Sequence, residues 1–251
     1  MIRAVIFDLG GTLEDVYYDD TLRLNAMPGF QSIFAKHQLD LKLSPPELYA
    51  VIQAGMNKYG RWREETEQEL PPERLWTEFI FADLTLPQAK LAAMGEELSL
   101  HWDAHCSQRA LRPKAPTALV TLHQRGLHLG LISNILSREM VPLNLEAYGI
   151  AKYFQVVLTS CTFGWRKPSP KIFLEMARRL DVAPADCTYV GDTISRDVIG
   201  AHRAGYGLAI QIKSFLTGQS DRATDTEPPD AIIQDLNQVI DIINVPEEQP
   251  S

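Results

Sequence analysis

The stretch MIRAVIFDLGGT, residues 1–12, places a short apolar run directly before an acidic side chain and two glycines. Residues 4–7 are all apolar, and a run of this length ahead of a glycine turn is typical of a buried strand. Asp8 follows at the end of the run, and Gly10 and Gly11 follow Asp8. We therefore predict that a carboxylate leaves the end of a buried strand on a tight turn.

Similar apolar runs recur later in the chain, and helical patterns lie between them. Ser169 followed by Pro170 is a helix start signal, with a capping residue before proline at the first helical position. Strands that alternate with helices of this length predict a doubly wound α/β domain, a parallel sheet covered on both faces. The later runs are residues 127–132, 156–158, 188–190, 208–212 and 231–233.

The region of residues 20–111 interrupts this alternation, because it is rich in helical patterns and lacks comparable strand-like runs. Ser44 and Glu47 form a capping box around two prolines, ahead of an apolar face at helical spacing. Leu91, Met94, Leu98 and Trp102 predict another helix. We therefore expect a core domain from residues 1–19 and 112–251, with an inserted all-helical domain at residues 20–111. The polar stretch 217–229 is expected to be a loop.

Composition and charge exclude several classes of protein. The 251 residues carry a formal net charge of −8, which argues against a nucleic-acid or anionic-membrane surface but permits a small phosphorylated ligand. The three cysteines have no spacing that indicates a zinc site or a disulfide framework, and they fit a reducing compartment. The sequence shows no signal peptide and no apolar run as long as a membrane span, so we expect a cytoplasmic protein.

Polar side chains follow several of the predicted strands. Ligands of open α/β sheets bind outside the carboxyl ends of the strands, so these side chains are the candidates for a functional site. They are Asp8 after the first run, Ser133 and Asn134 after the second, Lys167 in GWRKP after the third, and Asp192 and Asp197 in GDTISRD after the fourth.

These four segments, in this order, resemble the motifs of the haloacid-dehalogenase superfamily: FDLGGTL the first, LISN the second, RKPSP the third and GDTISRD the fourth. The resemblance covers essentially the whole chain. It implies a Rossmann-like core and a helical C1 cap in the insertion, as in subfamily I of the superfamily. It also implies a phosphatase that acts on a small phosphorylated metabolite. We expect the protein to be a monomer or a homodimer.

The resemblance further implies a role for each candidate residue. Asp8 would be the nucleophile, and Lys167 would hold the transferred phosphoryl group together with Ser133. Asn134 and the glycine turn at Gly11 and Thr12 would add contacts to the substrate. A Mg²⁺ cofactor would be held by carboxylates and by one backbone carbonyl, with Asp8, Gly10, Asp192 and Asp197 as its ligands.

Gly10 departs from the superfamily pattern, because phosphatases of the superfamily usually carry a second aspartate at this position. Glycine retains the backbone carbonyl for a metal but lacks the side chain that protonates the leaving oxygen. General acid–base catalysis contributes ~10²–10⁴-fold in rate, so its loss is serious but not total. Among nearby acidic residues, Asp15 is the expected substitute.

Three alternatives to a typical phosphatase stay open at this stage. One is a 2-haloacid dehalogenase, although that branch lacks the metal-binding Gly-Asp pair that this chain keeps at Gly191 and Asp192. A second is an enzyme like phosphonoacetaldehyde hydrolase, which needs a cap lysine such as Lys36, Lys42 or Lys58. The third is a catalytically weak protein that binds a phosphorylated ligand.

Overall fold

A parallel sheet forms the centre of the computed structural model, which describes residues 1–221 and 227–243. Within these residues, six strands join in the order β5-β4-β1-β6-β7-β8, and every neighbouring pair is parallel. The doubly wound α/β prediction is confirmed, and each predicted apolar run forms a strand of this sheet. The strands are β1 (Ala4–Phe7), β2 (Glu14–Tyr17), β3 (Gln108–Leu111), β4 (His128–Ser133), β5 (Val156–Thr159), β6 (Cys187–Gly191), β7 (Leu208–Ile212) and β8 (Ala231–Ile233).

Helices separate the strands and supply the inserted region. The α-helices are α1 (Asp20–Asn25), α2 (Met27–Lys36), α3 (Pro45–Thr66), α4 (Pro72–Leu75), α5 (Gln88–Ala93), α6 (Gly95–His105), α7 (Ala115–Gln124), α8 (Met140–Ala147), α9 (Ser160–Phe163), α10 (Pro170–Leu180), α11 (Ile199–Arg203), α12 (Phe215–Ser220) and α13 (Gln238–Ile242). Shorter π- and 3₁₀-helical turns lie at Trp76–Ile80, Ala151–Tyr153, Pro184–Asp186 and Ile194–Val198. No helix of the described residues has both the length and the apolar character needed to cross a lipid bilayer.

The two faces of the sheet bury different apolar clusters, because successive side chains of a strand point to opposite faces. Val5 and Phe7 of β1 pack into the cluster that includes α7 and α13. Ala4 and Ile6 pack into the cluster on the other face, which includes α10 and α11. The helix predicted to start at Ser169 and Pro170 forms as α10, and its buried face consists of Ile172, Phe173, Met176, Ala177 and Leu180.

The inserted helices, Asp20–His105, have an apolar core of their own, which includes Phe30, Tyr59 and Trp76. The capping box at Ser44 forms as predicted. The prediction of a single helix through Leu91 and Trp102 is wrong, because the helix is interrupted between α5 and α6. A Cβ atom at Gly95 would lie 2.7 Å from the Cα atom of Glu73, so the backbone of α4 packs closely against this break. The predicted domain boundaries themselves stay a prediction.

A two-stranded antiparallel ribbon joins the insertion to the rest of the chain. β2 leads into the helices, β3 leads out of them, and the two strands pair from Glu14 with Leu111 to Tyr17 with Gln108. This ribbon was not predicted, and neither was α12, which occupies part of the loop expected at 217–229. Residues 222–226 of that expected loop lie outside the described residues.

Candidate active site

The candidate residues meet at the carboxyl edge of the sheet. Asp8 follows β1, Ser133 ends β4 and Asp192 follows β6, and β4, β1 and β6 are neighbours in the sheet. Lys167 comes from the segment after α9, and its side chain is buried against the same edge. The order of the strands therefore brings together side chains that are more than 180 residues apart in the sequence.

Three buried carboxylates form the centre of the site. Asp8, Asp192 and Asp197 each offer an oxygen within 4.8 Å of the others. Burial raises the pKa of Asp8 to about 6, although the Lys167 ammonium acts in the opposite direction. Burial also raises the pKa of Asp192 well above its usual range, and the negative charges of Asp197 and Asp8 add to this effect. The cluster therefore has more negative charge than the protein neutralises, a condition that favours a bound cation.

One oxygen of this cluster has no hydrogen-bond partner. Asp192 accepts a very short hydrogen bond from the Ser214 hydroxyl through Oδ2, whereas its Oδ1 is buried and unpartnered among the described residues. An unpaired buried carboxylate oxygen is costly unless a ligand satisfies it. The donor set therefore fits a hard divalent cation such as Mg²⁺, which binds oxygen ligands.

Lys167 neutralises part of the charge. Its Nζ lies 2.6 Å from Asp8 Oδ1 and 2.7 Å from Asp197 Oδ1, and it donates a hydrogen bond of 2.9 Å to the Tyr189 hydroxyl. Burial alone would lower the pKa of this amine, but Asp197 and Asp8 raise it above its ordinary value. The side chain is therefore a fixed ammonium group beside the Asp8 carboxylate.

Asn134 positions Lys167. Its side-chain oxygen accepts a hydrogen bond of 2.9 Å from the backbone N–H of Lys167, and its side-chain nitrogen donates one of 3.0 Å to the carbonyl of the same residue. Both polar atoms of the amide are used in this way, and the predicted substrate contact of Asn134 stays a prediction. Ser133 is buried at the end of β4, and its hydroxyl forms no hydrogen bond with the described residues.

Asp197 is committed to the protein through both oxygens. Oδ1 contacts Lys167, and Oδ2 accepts hydrogen bonds from the backbone N–H groups of Asp192 and Thr193 and from the Thr193 hydroxyl. Burial opposes its ionisation, but Lys167 and Arg196 hold the pKa of Asp197 at about 2. Asp8 and Asp192 therefore have oxygens available for a cation, whereas Asp197 supports the loop and the lysine.

The glycine turn has a structural role that differs from the expected phosphate contacts. Gly11 has a φ of +91°, and a Cβ atom there would lie 2.1 Å from Asp192 Oδ2, so only glycine lets the turn approach this carboxylate. The N–H of Gly11 donates to the Glu14 carbonyl at 2.8 Å, and that of Thr12 donates to the Leu9 carbonyl at 3.2 Å. The backbone N–H groups of both residues are therefore used within the turn, whereas the buried Thr12 hydroxyl has no hydrogen-bond partner among the described residues, so a substrate contact there stays a prediction.

Gly10 faces a cation. A Cβ atom at this position would lie 3.2 Å from Nη1 of Arg109 on β3. The same Nη1 donates a hydrogen bond of 2.8 Å to Glu14, a fully buried carboxylate on β2. The space that a side chain at position 10 would enter is therefore bounded by a guanidinium group, and no acidic side chain of residues 1–221 or 227–243 is within van der Waals contact of it.

Asp15 lies outside this cluster. The side chains of β2 alternate, so Glu14 and Val16 are buried while Asp15 and Tyr17 are exposed. The Asp15 carboxylate is 66% exposed and pairs with Arg112 at 3.0 Å. This geometry removes the basis for proposing Asp15 as the proton-transfer group.

Three further residues belong to the site but were not predicted. Ser214 follows β7, so the rule that selects polar residues at strand ends also applies to it. Arg196 lies within the GDTISRD motif and is close enough to the carboxylates for their charges to raise its pKa, even though burial lowers it. Arg109 had no such signal, because it is 99 residues from Gly10 and is followed by no recognisable motif.

The helical insertion is bound to the core beside this site. The Asp103 carboxylate on α6 accepts hydrogen bonds from the backbone N–H groups of Leu136 and Ser137, in the segment that follows β4. Glu69, which precedes α4, accepts one of 2.9 Å from the Ser160 hydroxyl. These contacts hold the insertion over the carboxyl edge of the sheet.

Comparison with known proteins gives relatives across the full chain. The sequence profile of haloacid dehalogenase-like hydrolases matches residues 2–205. A glyceraldehyde 3-phosphate phosphatase of Methanopyrus kandleri is 30% identical over 243 residues, which cover 97% of each chain. A phosphoglycolate phosphatase of Shigella sonnei is 33% identical over 257 residues, covering 99% of this chain and 95% of the relative.

Solved structures share the fold. A HAD phosphatase from Thermococcus onnurineus superposes with a TM-score of 0.59 at 25% identity, over 96% of this chain and 97% of the other. A 2-haloacid dehalogenase from Pseudomonas syringae gives a TM-score of 0.65 at 24% identity, over 96% and 98% of the two chains. The match of the family profile to most of the chain, together with relatives of this identity and coverage, identifies the chain as a member of the haloacid dehalogenase-like hydrolases, a family of enzymes.

Proposed function

We propose that this enzyme is a Mg²⁺-dependent phosphomonoesterase that acts on a small phosphorylated metabolite through an aspartyl-phosphate on Asp8. The observation that carries the proposal is the buried set of Asp8, Asp192 and Asp197 with the Lys167 ammonium 2.6 Å from Asp8. The printed activities of the relatives, which are phosphatases of small phosphorylated compounds, support the same substrate class.

The metal would be held by Asp8, by the unpartnered Oδ1 of Asp192 and by the backbone carbonyl of Gly10. Asp197 would act through Lys167 and the Thr193 loop rather than as a direct ligand. A bound Mg²⁺ supplies charge neutralisation, so that a dianionic phosphoryl group and a carboxylate can come close together.

The chemistry at Asp8 takes place in two displacements. In the first, a carboxylate oxygen of Asp8 forms a bond to phosphorus, and the bond from phosphorus to the ester oxygen breaks, with the electron pair leaving on that oxygen. Lys167 and the Ser133 hydroxyl contact the phosphoryl oxygens during this transfer. In the second, water attacks phosphorus, the Asp8 carboxylate is released and the proton of the water leaves with inorganic phosphate or solvent.

Gly10 limits which esters react fast. It offers no acid to protonate the departing oxygen, so leaving groups that depart as stable anions are favoured over alkoxides. Acyl, anomeric and aryl phosphates are leaving groups of this kind. We therefore expect a strong dependence of rate on the leaving group.

The structure disfavours the other members of the family that the sequence left open. A dehalogenase needs no metal cluster, whereas Asp192 lies in one here. A phosphonoacetaldehyde-hydrolase mechanism needs a buried lysine with a depressed pKa in the cap. Lys36, Lys42 and Lys58 are all exposed, as is Lys90. A cytoplasmic location and a monomeric or homodimeric state stay predictions from the sequence.

Phosphate release from aryl and alkyl monoesters, with Mg²⁺ or with EDTA, tests the proposal. We expect turnover that requires the metal and that Asp8→Asn abolishes, while the matched variant Asp83→Asn, at an exposed cap residue, retains it. Halide release from a 2-haloacid in EDTA would instead establish a dehalogenase. Thermal stabilisation by Mg²⁺ and orthovanadate without turnover of any ester would establish a phosphate-binding protein.

A further inference from the structure

A cavity of about 590 Å³ lies between the helical insertion and the carboxyl edge of the sheet. Asn134 and Arg196, which contact or neighbour the carboxylate cluster, form its core wall, and residues of α1, α3 and α6 form its other walls. The volume lies within the range of metabolite-binding cavities. A substrate whose phosphoryl group lay at Asp8 would extend its leaving group toward this cavity.

The wall of this cavity is rich in positive charge. Among the described residues, the lining includes two acidic residues, Glu64 and Asp103, and five arginines, which are Arg23, Arg61, Arg63, Arg109 and Arg196. Arg109 is compensated by Glu14, which lies outside the lining, and Asp103 accepts two backbone hydrogen bonds. Positive charge therefore exceeds negative charge in the part of the wall that the insertion contributes.

Arg23 is fixed in place and has an unused donor. Its guanidinium carbon lies 4.2 Å from the centre of the Tyr18 ring and 5.5 Å from that of Trp102, so the two rings hold the planar group. Its Nε is buried and has no hydrogen-bond partner among the described residues.

We propose that Arg23 binds a second anionic group of the substrate, with Arg63 on the facing helix α3 adding positive charge to the same part of the cavity. Guanidinium groups recognise carboxylate and phosphate oxygens through paired, charge-assisted hydrogen bonds. The inference rests on the proposed function and extends it: the substrate is a phosphate monoester whose leaving group carries a carboxylate or a second phosphate.

Esters of equal chain length test this inference. The set is propyl phosphate, which has no second charge, 3-phosphooxypropanoate, which carries a carboxylate, and propane-1,3-diol bisphosphate, which carries a second phosphate. We expect kcat/KM to be at least ~10-fold higher for one or both anionic esters than for propyl phosphate. Charge-assisted hydrogen bonds are worth ~10–100-fold in binding, and added salt reduces this preference. The better of the two anionic esters identifies the second group.

Variants of the cavity arginines test whether the preference for anionic esters arises in the cavity. Arg23→Gln should reduce kcat/KM of the preferred anionic ester ~10–100-fold more than that of propyl phosphate, mainly through KM. Arg63→Gln should do the same to a smaller extent and serves if Arg23→Gln fails to fold. Arg178→Gln removes an exposed arginine of α10 that pairs with Glu175, and it should leave the preference unchanged.

Two results would overturn the inference while leaving the proposed function intact. One is turnover of propyl phosphate at the same kcat/KM as both anionic esters. The other is an equal loss on all three esters in Arg23→Gln and Arg63→Gln, which indicates a structural role. If no ester of any kind, aryl phosphates included, is turned over, the proposed function itself is wrong.

Discussion

Replacing Gly10 with aspartate would introduce an acid at the position where the sequence resemblance implies one, but the structure predicts that this acid would work poorly. The new Cβ atom would lie 3.2 Å from Arg109 Nη1 and 3.4 Å from Val16 Cγ2. The guanidinium is the far end of a flexible side chain, and Gly10 does not have a positive φ, so the variant should fold. Its new carboxyl group would then lie directly beside a cation.

The magnitude follows from this contact. An opposite charge at such a distance lowers the pKa of an aspartate by ~1–3 units, and each unit reduces its protonated fraction about tenfold at neutral pH. General acid catalysis contributes ~10²–10⁴-fold, so the neighbouring arginine cancels most of the gain. We expect Gly10→Asp to raise kcat/KM on propyl phosphate by less than about tenfold.

Removing the positive charge of Arg109 should increase the rate gain that Gly10→Asp produces. Arg109→Gln alone would leave the fully buried Glu14 without its partner, at a cost of ~3–5 kcal/mol, so Glu14→Gln accompanies it. In this double-variant background, Gly10→Asp should raise kcat/KM on propyl phosphate by ~10²-fold or more. On p-nitrophenyl phosphate, whose leaving group departs as an anion, the increase should be small in both backgrounds.

The assay is phosphate release from both esters by the four enzymes: wild type and the double variant, each with and without Gly10→Asp. A 100-fold gain on propyl phosphate in the enzyme that retains Arg109 would refute the reasoning. An equal gain in the two backgrounds would refute it as well, because Arg109 would then have no influence on the new acid.

Three further predictions concern activity, metal binding and stability. Gly11→Ala should abolish Mg²⁺-dependent activity because its Cβ atom overlaps Asp192, whereas Gly126→Ala, at a similar positive φ with open space around it, should retain activity in the same assay. Asp192→Asn should melt no lower than wild type in EDTA, because it removes one of three crowded negative charges. It should also lose the stabilisation by Mg²⁺, which is ~2.7 kcal/mol at a concentration 100 times Kd. Burial raises the pKa of Asp103 to about 6, so its ionisation lowers the free energy of unfolding as the pH rises from ~4 to ~6, by on the order of 3 kcal/mol. Asp103→Asn should lack this decrease in denaturant titrations across that range, and a decrease equal to that of wild type would contradict the assignment.

The sheet and much of the site follow from local features of the sequence. A buried parallel strand is a continuous apolar run, so β1, β4 and β6 are visible without a structure. The residues at the ends of these strands are then placed at one edge by topology alone, which brings Asp8, Ser133 and Asp192 into one candidate site. Ser214 follows the end of β7, so the same rule also predicts it as a residue of the candidate site.

The burial of charged side chains is the part of the site that the sequence does not predict. Glu14 and Arg109 form an ion pair inside the ribbon, and a charged residue in a short strand gives no sign of burial. The inward direction of the Glu14 side chain could nonetheless be inferred from the sequence Glu14-Asp15-Val16-Tyr17. If Val16 points inward, the two-residue period of a strand places Glu14 inward and Asp15 outward. The contact between Gly10 and Arg109 spans the whole insertion and has no local signal of any kind.

The ribbon of β2 and β3 also joins the insertion to the core in such a way that the insertion could be exchanged as a unit. The chain leaves the ribbon after Tyr17 and returns at Gln108, and these two residues are paired across the strands. A two-residue turn between them would complete an ordinary hairpin, so the ends of any replacement insertion need only meet at this one pair. Arg109 and Glu14 lie below that junction, on the core side. The residue beside Gly10 would therefore be inherited with the core, whereas Arg23 and Arg63 would be exchanged with the insertion.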